Sequence, residues 1–308
     1  MVVYKMKILL LSPNQIHRYN WGHQLFRNAI GRQTQTKYYG QGFPGFDQKL
    51  SVKEIIKKKC KWKPDVILTY GWRYSKDFQG LEEIDDIAKV HITVDYGRPQ
   101  GIPKQNKFFK KNKYDLVFAI TLNAHRLLTE NKVCDKIQML PFSVETNVYK
   151  PLGLEKKDQI LAAFTARSDI YPNRTKVQVA AKQTGYPVVT KRIVQRKLIR
   201  SINLSKICLT SNNIFRSFSM RYTETMGCGG FLMADEPEDM QFLGYEDKKH
   251  FVVYDGMNDL RDKILYYMKH DAERNKIAKQ GMKFVRKNHS CTKRVFEMLY
   301  TIEKELCI

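Results

Sequence analysis

The stretch Met220–Asp239, MRYTETMGCGGFLMADEPED, holds the residues whose types and spacing best suit chemistry. Arg221 and Glu224 stand three residues apart, and so share one face of any helix that carries them. Ser219 stands at the N-cap position. The first free backbone N–H groups, at Met220 to Tyr222, then carry partial positive charge and favour a phosphate. Arg221 adds a guanidinium able to hold two phosphate oxygens. Glu224, one turn on, can accept hydrogen bonds from two neighbouring hydroxyls, as on a ribose. Gly227, Gly229 and Gly230 allow positive φ and close approach of backbone to backbone or ligand. Together these groups fit a nucleoside diphosphate. The alternative is a surface ion pair followed by a glycine C-cap. Neither GxGxxG after a first strand nor a Walker A loop is present.

Proton transfer needs a carboxylate or imidazole. Asp95, just past the segment KVHITV, is the first candidate, though a turn-forming Asp explains it equally well. His17 and His23, flanking RYNWG, are further candidates and can also simply orient loop backbone. The acidic DEPED segment (235–239) reads as a solvated loop rather than a metal site. The six cysteines are scattered without ligand-like spacing. Neither structural zinc nor a disulfide framework is expected, and a reducing cytoplasm is the expected compartment. No tightly bound cofactor and no metal requirement are expected.

These groups need a frame. KILLLS (7–12), DVILTYG (65–71), KVHITVD (89–95), DLVFAI (115–120) and IQMLPF (137–142) are predicted strands, separated by helical spacing at 21–32, 52–60 and 123–131. A charged, Pro- and Gly-containing segment at 148–159 reads as a linker. The pattern then restarts with QILAAFTA, PVVTKR, KICLTS, FLMAD and HFVVYD, and ends in three helical stretches. This is α/β grammar: two mostly parallel sheets, with ligands expected at the carboxyl ends of the strands and in a cleft between two units. No apolar run approaches the length of a membrane span, and the brief apolar start reads as a strand rather than a signal peptide.

Residues 205–281, and Glu224 to Gly230 above all, resemble the carboxyl domain of GT-B glycosyltransferases, in particular the group-1 branch that includes spore-maturation-protein-like enzymes. Residues 140–151 resemble the interdomain segment of such enzymes. The resemblance implies two Rossmann-like domains facing across a cleft. These are an acceptor-side domain over 1–150 and a nucleotide-sugar domain over 151–289, with a helix over 290–308 crossing back. It implies a nucleotide-sugar donor, UDP-linked by expectation, with Glu224 on the ribose and Arg167 and Arg174 at the diphosphate. Arg221 with Glu224 is similar to the Arg-x-x-Glu pair of some phage DNA glucosyltransferases. One departure matters: where many retaining members carry a second Glu, position 216 is Arg. Stereochemistry therefore stays open.

The acceptor is read from charge. With 54 Lys and Arg against 31 Asp and Glu, the net charge is +23. That favours polyanionic company, although a lysine-rich solvated surface explains part of it. Lys104, Lys107, Lys110, Lys111 and Lys113, interleaved with Phe and Tyr, suggest a strip where lysines track phosphates and aromatics stack on bases. The reading preferred is transfer of a sugar to hydroxymethylated pyrimidines in DNA. The alternatives are a peripheral enzyme acting on an envelope polysaccharide or lipid at an anionic membrane surface, and a non-catalytic nucleic-acid-binding protein on a degenerate GT-B fold.

Overall fold

The computed structural model describes residues 4–16, 21–165 and 169–308. The chain divides into two compact units, Met1–Pro141 with Arg294–Ile308, and Phe142–Lys293. In the first, strands β1 (Lys7–Leu11), β2 (Gln35–Tyr39), β3 (Val66–Tyr70), β4 (Ala88–Ile92), β5 (Leu116–Ala119) and β6 (Ile137–Met139) form one sheet in the order β2-β1-β3-β4-β5-β6. Every pairing in it is parallel. Helices α1 (Trp21–Gly31), α2 (Val52–Lys59), α3 (Trp72–Ser75), α4 (Ile102–Asn112) and α5 (Leu122–Glu130) connect the strands.

The second unit repeats the plan. Its strands are β7 (Lys157–Leu161), β8 (Val188–Val189), β9 (Ser205–Leu209), β10 (Leu232–Ala234) and β11 (Val252–Val253), in the order β11-β10-β9-β7-β8. The helices are α6 (Arg174–Lys182), α7 (Gln195–Leu204), α8 (Met220–Gly227), α9 (Gly256–Lys269) and α10 (Asp271–Asn288). The last helix, α11 (Cys291–Leu306), belongs to the first unit from Arg294 onward. There Phe296 lies 5.8 Å from the Tyr4 ring, and the Gln138 amide donates to Glu305 Oε1 at 3.0 Å.

Both sheets start in the second strand position, step outward to an edge, then cross back. Right-handed crossovers place the intervening helices on opposite faces at that reversal. The connections after β1 and β3, and after β7 and β9, therefore part at the carboxyl edge and leave a crevice there. All of β3, VILTY, is buried, which is why it is mostly apolar rather than alternating, its one short polar side chain, Thr69, being hydrogen-bonded to His91 and Tyr114. Ser51 and Glu54 close a reciprocal capping box that starts α2.

Two departures from the sequence reading have clear causes. Strand β2, QTKYY, has no apolar run because it is an edge strand, mostly polar and partly exposed. The basic stretch at 104–115 is largely the amphipathic helix α4. Its Phe108 and Phe109, with Tyr114, are buried around His91, so these aromatics are core residues and not a surface for stacking bases.

Candidate functional site

The site residues of the second unit converge on its β7/β9 reversal. The loop after β7 leads into α6, which opens with Arg174; the loop after β9 leads into α8, which carries Arg221 and Glu224. That second loop is pinned by Asp235, which follows β10. Asp235 Oδ1 accepts from the Asn212 N–H at 2.7 Å, and its Oδ2 accepts from the Ser211 hydroxyl at 3.1 Å. The Tyr222 hydroxyl donates to Asn212 Oδ1 at 2.6 Å, locking α8 to the same loop. Asp239 accepts from the Phe218 N–H at 3.1 Å, which sets the residue before Ser219. The expectation of a solvated DEPED loop is therefore corrected. Asp239 is buried and Asp235 half-buried, because each serves backbone donors that would otherwise be unpaired, while Glu236 and Glu238 are exposed. Burial raises the Asp235 pKa against these hydrogen bonds.

Ser219 sits at the N-cap of α8 with extended backbone, but its side chain makes no capping bond. Its hydroxyl is buried without a partner among the described residues, as are Arg221 Nη1 and Arg174 Nε. Arg174 Nη1 donates to the Thr165 carbonyl at 3.0 Å, and its guanidinium lies 3.3 Å from the centre of the Tyr171 ring. Its pKa is lowered to about 10, mainly by burial, with Arg221 among the nearby charges that lower it further. The structure thus gathers one buried donor atom on each of Ser219, Arg221 and Arg174 that makes no hydrogen bond among the described residues. An unpaired buried donor costs about 1–3 kcal/mol, and a bound anion removes that cost.

Glu224 faces the same group. Its Oε2 lies 3.6 Å from Arg221 Nη1, and Tyr149 donates to its Oε1 at 2.8 Å. Burial raises its pKa, against the opposing pulls of Arg221 and Tyr149. The Tyr149 hydroxyl is pushed well above its usual range, chiefly by burial and then by the Glu224 charge. Tyr149 reaches Glu224 from 75 positions away, and no local sequence signal points to it. Tyr171 lies under the Arg174 guanidinium only three positions before it, a contact set by the loop's fold rather than by residue type.

The three glycines answer to packing. A Cβ on Gly230 would sit 2.7 Å from Ile202 Cγ2, and one on Gly227 would sit 3.3 Å from both Val144 methyls. Gly229 has φ +71 and ends α8. At Gly227 and Gly230 the space left by a missing side chain is filled by the protein itself. Close packing of α8 on the 144–149 segment, and of the turn after α8 on α7, accounts for both.

The proton-transfer candidates lie in the first unit. Asp95 is at the carboxyl edge of the first sheet, in left-handed backbone with φ 62, its half-exposed carboxylate 3.9 Å from Arg98. His23 lies in α1, its Nδ1 2.7 Å from the Tyr70 hydroxyl. Burial, helped by Arg27, lowers its pKa to about 3, which suits a neutral structural imidazole better than a base working near pH 7. His17 and Arg167 lie outside the described residues. Lys104, Lys107, Lys110, Lys111 and Lys113 are exposed, and Lys111 pairs with Glu82 at 2.8 Å. A pocket of about 190 Å³ near the ends of β1, β2 and β3 includes Tyr39, Phe46, Arg73, Tyr74 and Phe78 in its lining. Among the described residues no group of His, Cys, Asp and Glu has the arrangement of a metal site, and no helix is long and apolar enough to cross a membrane.

Two parallel sheets of this order, each flanked by helices, define the GT-B fold of glycosyltransferases, and this chain has that fold. Solved structures align along nearly its whole length. A sucrose-phosphate synthase from Thermosynechococcus elongatus matches with TM-score 0.69 at 11% identity, covering 98% of this chain and 100% of that one. HepE of Anabaena, in complex with UDP and glucose, matches with TM-score 0.70 at 10% identity, covering 97% and 100%. An alpha-glucosyltransferase in complex with UDP and a 13-mer DNA containing a HMU base matches with TM-score 0.63 at 11% identity, covering 97% and 99%. Residues 158–300 match the family described as glycosyl transferase-like, a stretch that contains Arg174, Ser219, Arg221 and Glu224. No curated protein matches the chain.

Proposed function

We propose that the protein is a glycosyltransferase that takes its sugar from a UDP-sugar bound at the β7/β9 reversal. The observation that carries this reading is the set of buried donor atoms on Ser219, Arg221 and Arg174 that make no hydrogen bond among the described residues, Arg221 having only the longer ion pair to Glu224. Breaking the glycosidic bond leaves its electron pair on a diphosphate oxygen, so the departing group gains charge. Fixed cations beside it stabilise that charge as it develops. In this reading Arg174, Arg221 and the N-terminus of α8 hold the diphosphate, with Arg167 joining them. Glu224 accepts the ribose hydroxyls, held in place by Tyr149. The acceptor hydroxyl attacks the anomeric carbon and loses its proton to a base, for which Asp95 is our candidate. Gly227, Gly229 and Gly230 serve by letting α8 pack closely.

For the acceptor we propose hydroxymethylated pyrimidines in DNA. The net charge of +23 and the exposed lysines of α4 support a polyanion, and the structural likeness to a glucosyltransferase bound to HMU-containing DNA supports this one. The motif from Glu224 to Gly230 supports a place in the group-1 branch, and the free thiols of all six cysteines accord with a cytoplasmic setting. The test is UDP release from a panel of UDP-sugars, with and without hydroxymethylpyrimidine DNA, followed by mass analysis of the nucleosides. UDP release stimulated by the DNA, with a sugar-sized mass gain on one base, is the expected result. Turnover indifferent to DNA moves the acceptor to an envelope polymer or lipid. DNA binding without binding or turnover of any nucleotide sugar overturns the enzyme reading.

A further inference from the structure

Residues 170–223 contain no Asp or Glu, in a chain with 31 of them, and carry eleven Lys and Arg. Six of the eleven are Arg, whereas the whole chain has 17 Arg to 37 Lys. Two of these cations, Arg174 and Arg221, belong to the proposed donor site. Lys206 is neutralised at 2.5 Å by Asp158. Several others are exposed at one edge of the second sheet. Strand β8 runs parallel to β7, so its carboxyl end emerges on the edge that carries the donor-site loops. The Gln178 amide donates to Ala162 O at 2.8 Å and to Thr190 O at 3.4 Å, tying the ends of β7 and β8 together.

Lys191 stands in the turn after β8, and Arg196 and Lys197 in the first turn of α7; all three are exposed. None is in an ion pair among the described residues. Arg216, also exposed, stands in the loop after β9 with left-handed φ 50, its Nη2 3.5 Å from the Glu236 carbonyl oxygen. Helix α7 has no acid in its first turn, and its N-cap, Val194, makes no side-chain cap bond. Cations placed there oppose the helix dipole, so helix stability does not explain them. The Arg content suits phosphate, whose oxygens match the guanidinium fork.

We propose that this edge of the second unit is a phosphate-tracking surface for a nucleic-acid strand, so that the glycosyltransferase-like domain itself helps hold the acceptor. The inference rests on the acceptor reading above and adds a second basic surface to α4. Phosphates held by Lys191, Arg196, Lys197 and Arg216 lead a strand past the donor site.

The test combines Lys191→Gln, Arg196→Gln and Lys197→Gln in one full-length variant. Binding to a short hydroxymethylpyrimidine duplex is followed by fluorescence anisotropy over a salt series, with UDP affinity measured by calorimetry. Affinity for the duplex is expected to fall about tenfold or more at low salt, and the slope of log K against log salt to shrink by about 2.7 for three lost contacts. UDP affinity is expected to stay within about twofold of the parent. A single Arg196→Glu variant guards against misfolding: its acid suits the helix N-terminus, yet it should weaken duplex binding. Unchanged duplex affinity and salt slope overturn the proposal. So does loss of binding to phosphatidylserine vesicles with duplex binding intact, which assigns the surface to a membrane. Failure of the parent to bind UDP counts against the donor reading alone, because the duplex measurement is scored without it.

Discussion

Glu224→Gln separates a ribose-binding carboxylate from a structural ion pair. The substitution keeps the shape of the side chain and an oxygen for the Tyr149 hydroxyl, which donates at 2.8 Å. It removes the charge that faces Arg221 at 3.6 Å. A hydrogen bond to a charged group contributes about 1.5–3 kcal/mol and a neutral one about 0.5–1.5 kcal/mol. The difference, about 1–2 kcal/mol, weakens UDP-glucose binding roughly 5- to 30-fold. Stability responds to two opposed effects. Arg221 loses its counter-charge, while the desolvation that raises the Glu224 pKa is relieved. A raised carboxyl pKa favours the folded state below the ordinary carboxylate range, and that stabilisation is lost as pH rises through the raised value. The stability of the Gln variant relative to the parent should therefore improve with rising pH. In binding, the parent should lose affinity for UDP-glucose as pH falls through the raised Glu224 pKa, and the variant should lack that limb. Calorimetry with UDP-glucose, whose diphosphate does not titrate in this range, reads the effect, with thermal melts alongside. An affinity within twofold of the parent, together with a lowered Tm, refutes the ribose assignment and leaves a structural pair.

Gly230→Ala should destabilise the protein by about 1–3 kcal/mol, because the new methyl meets Ile202 at 2.7 Å and Thr225 at 3.0 Å. Urea denaturation reads that loss, and UDP affinity of the folded fraction should be unchanged; a selective loss of UDP binding would return the glycine to the ligand. His23, with its pKa lowered to about 3, should contribute no limb to the pH–rate profile between pH 5 and 8. Comparing His23→Gln with the parent tests this, and loss of an alkaline plateau in the variant would restore the imidazole as a base.

Periodicity and residue type settled much of this protein in advance. Apolar runs such as KILLLS and DVILTY announced buried parallel strands, because strands covered on both faces need apolar side chains throughout. Arg221 and Glu224 were legible as a pair because i,i+3 spacing fixes a shared helical face whatever surrounds it. Strand β2 escaped notice because an edge strand needs no apolar run. Only the tertiary structure brought Tyr149 to Glu224 and turned Asp235 and Asp239 inward, since each contact joins chain segments whose distance in sequence carries no local pattern. It also reversed the meaning of two motifs. The aromatics between the α4 lysines fill a core, and Gly227 and Gly230 make room for neighbouring side chains. Residue type states what a side chain can do; packing decides which of its faces has anything to meet.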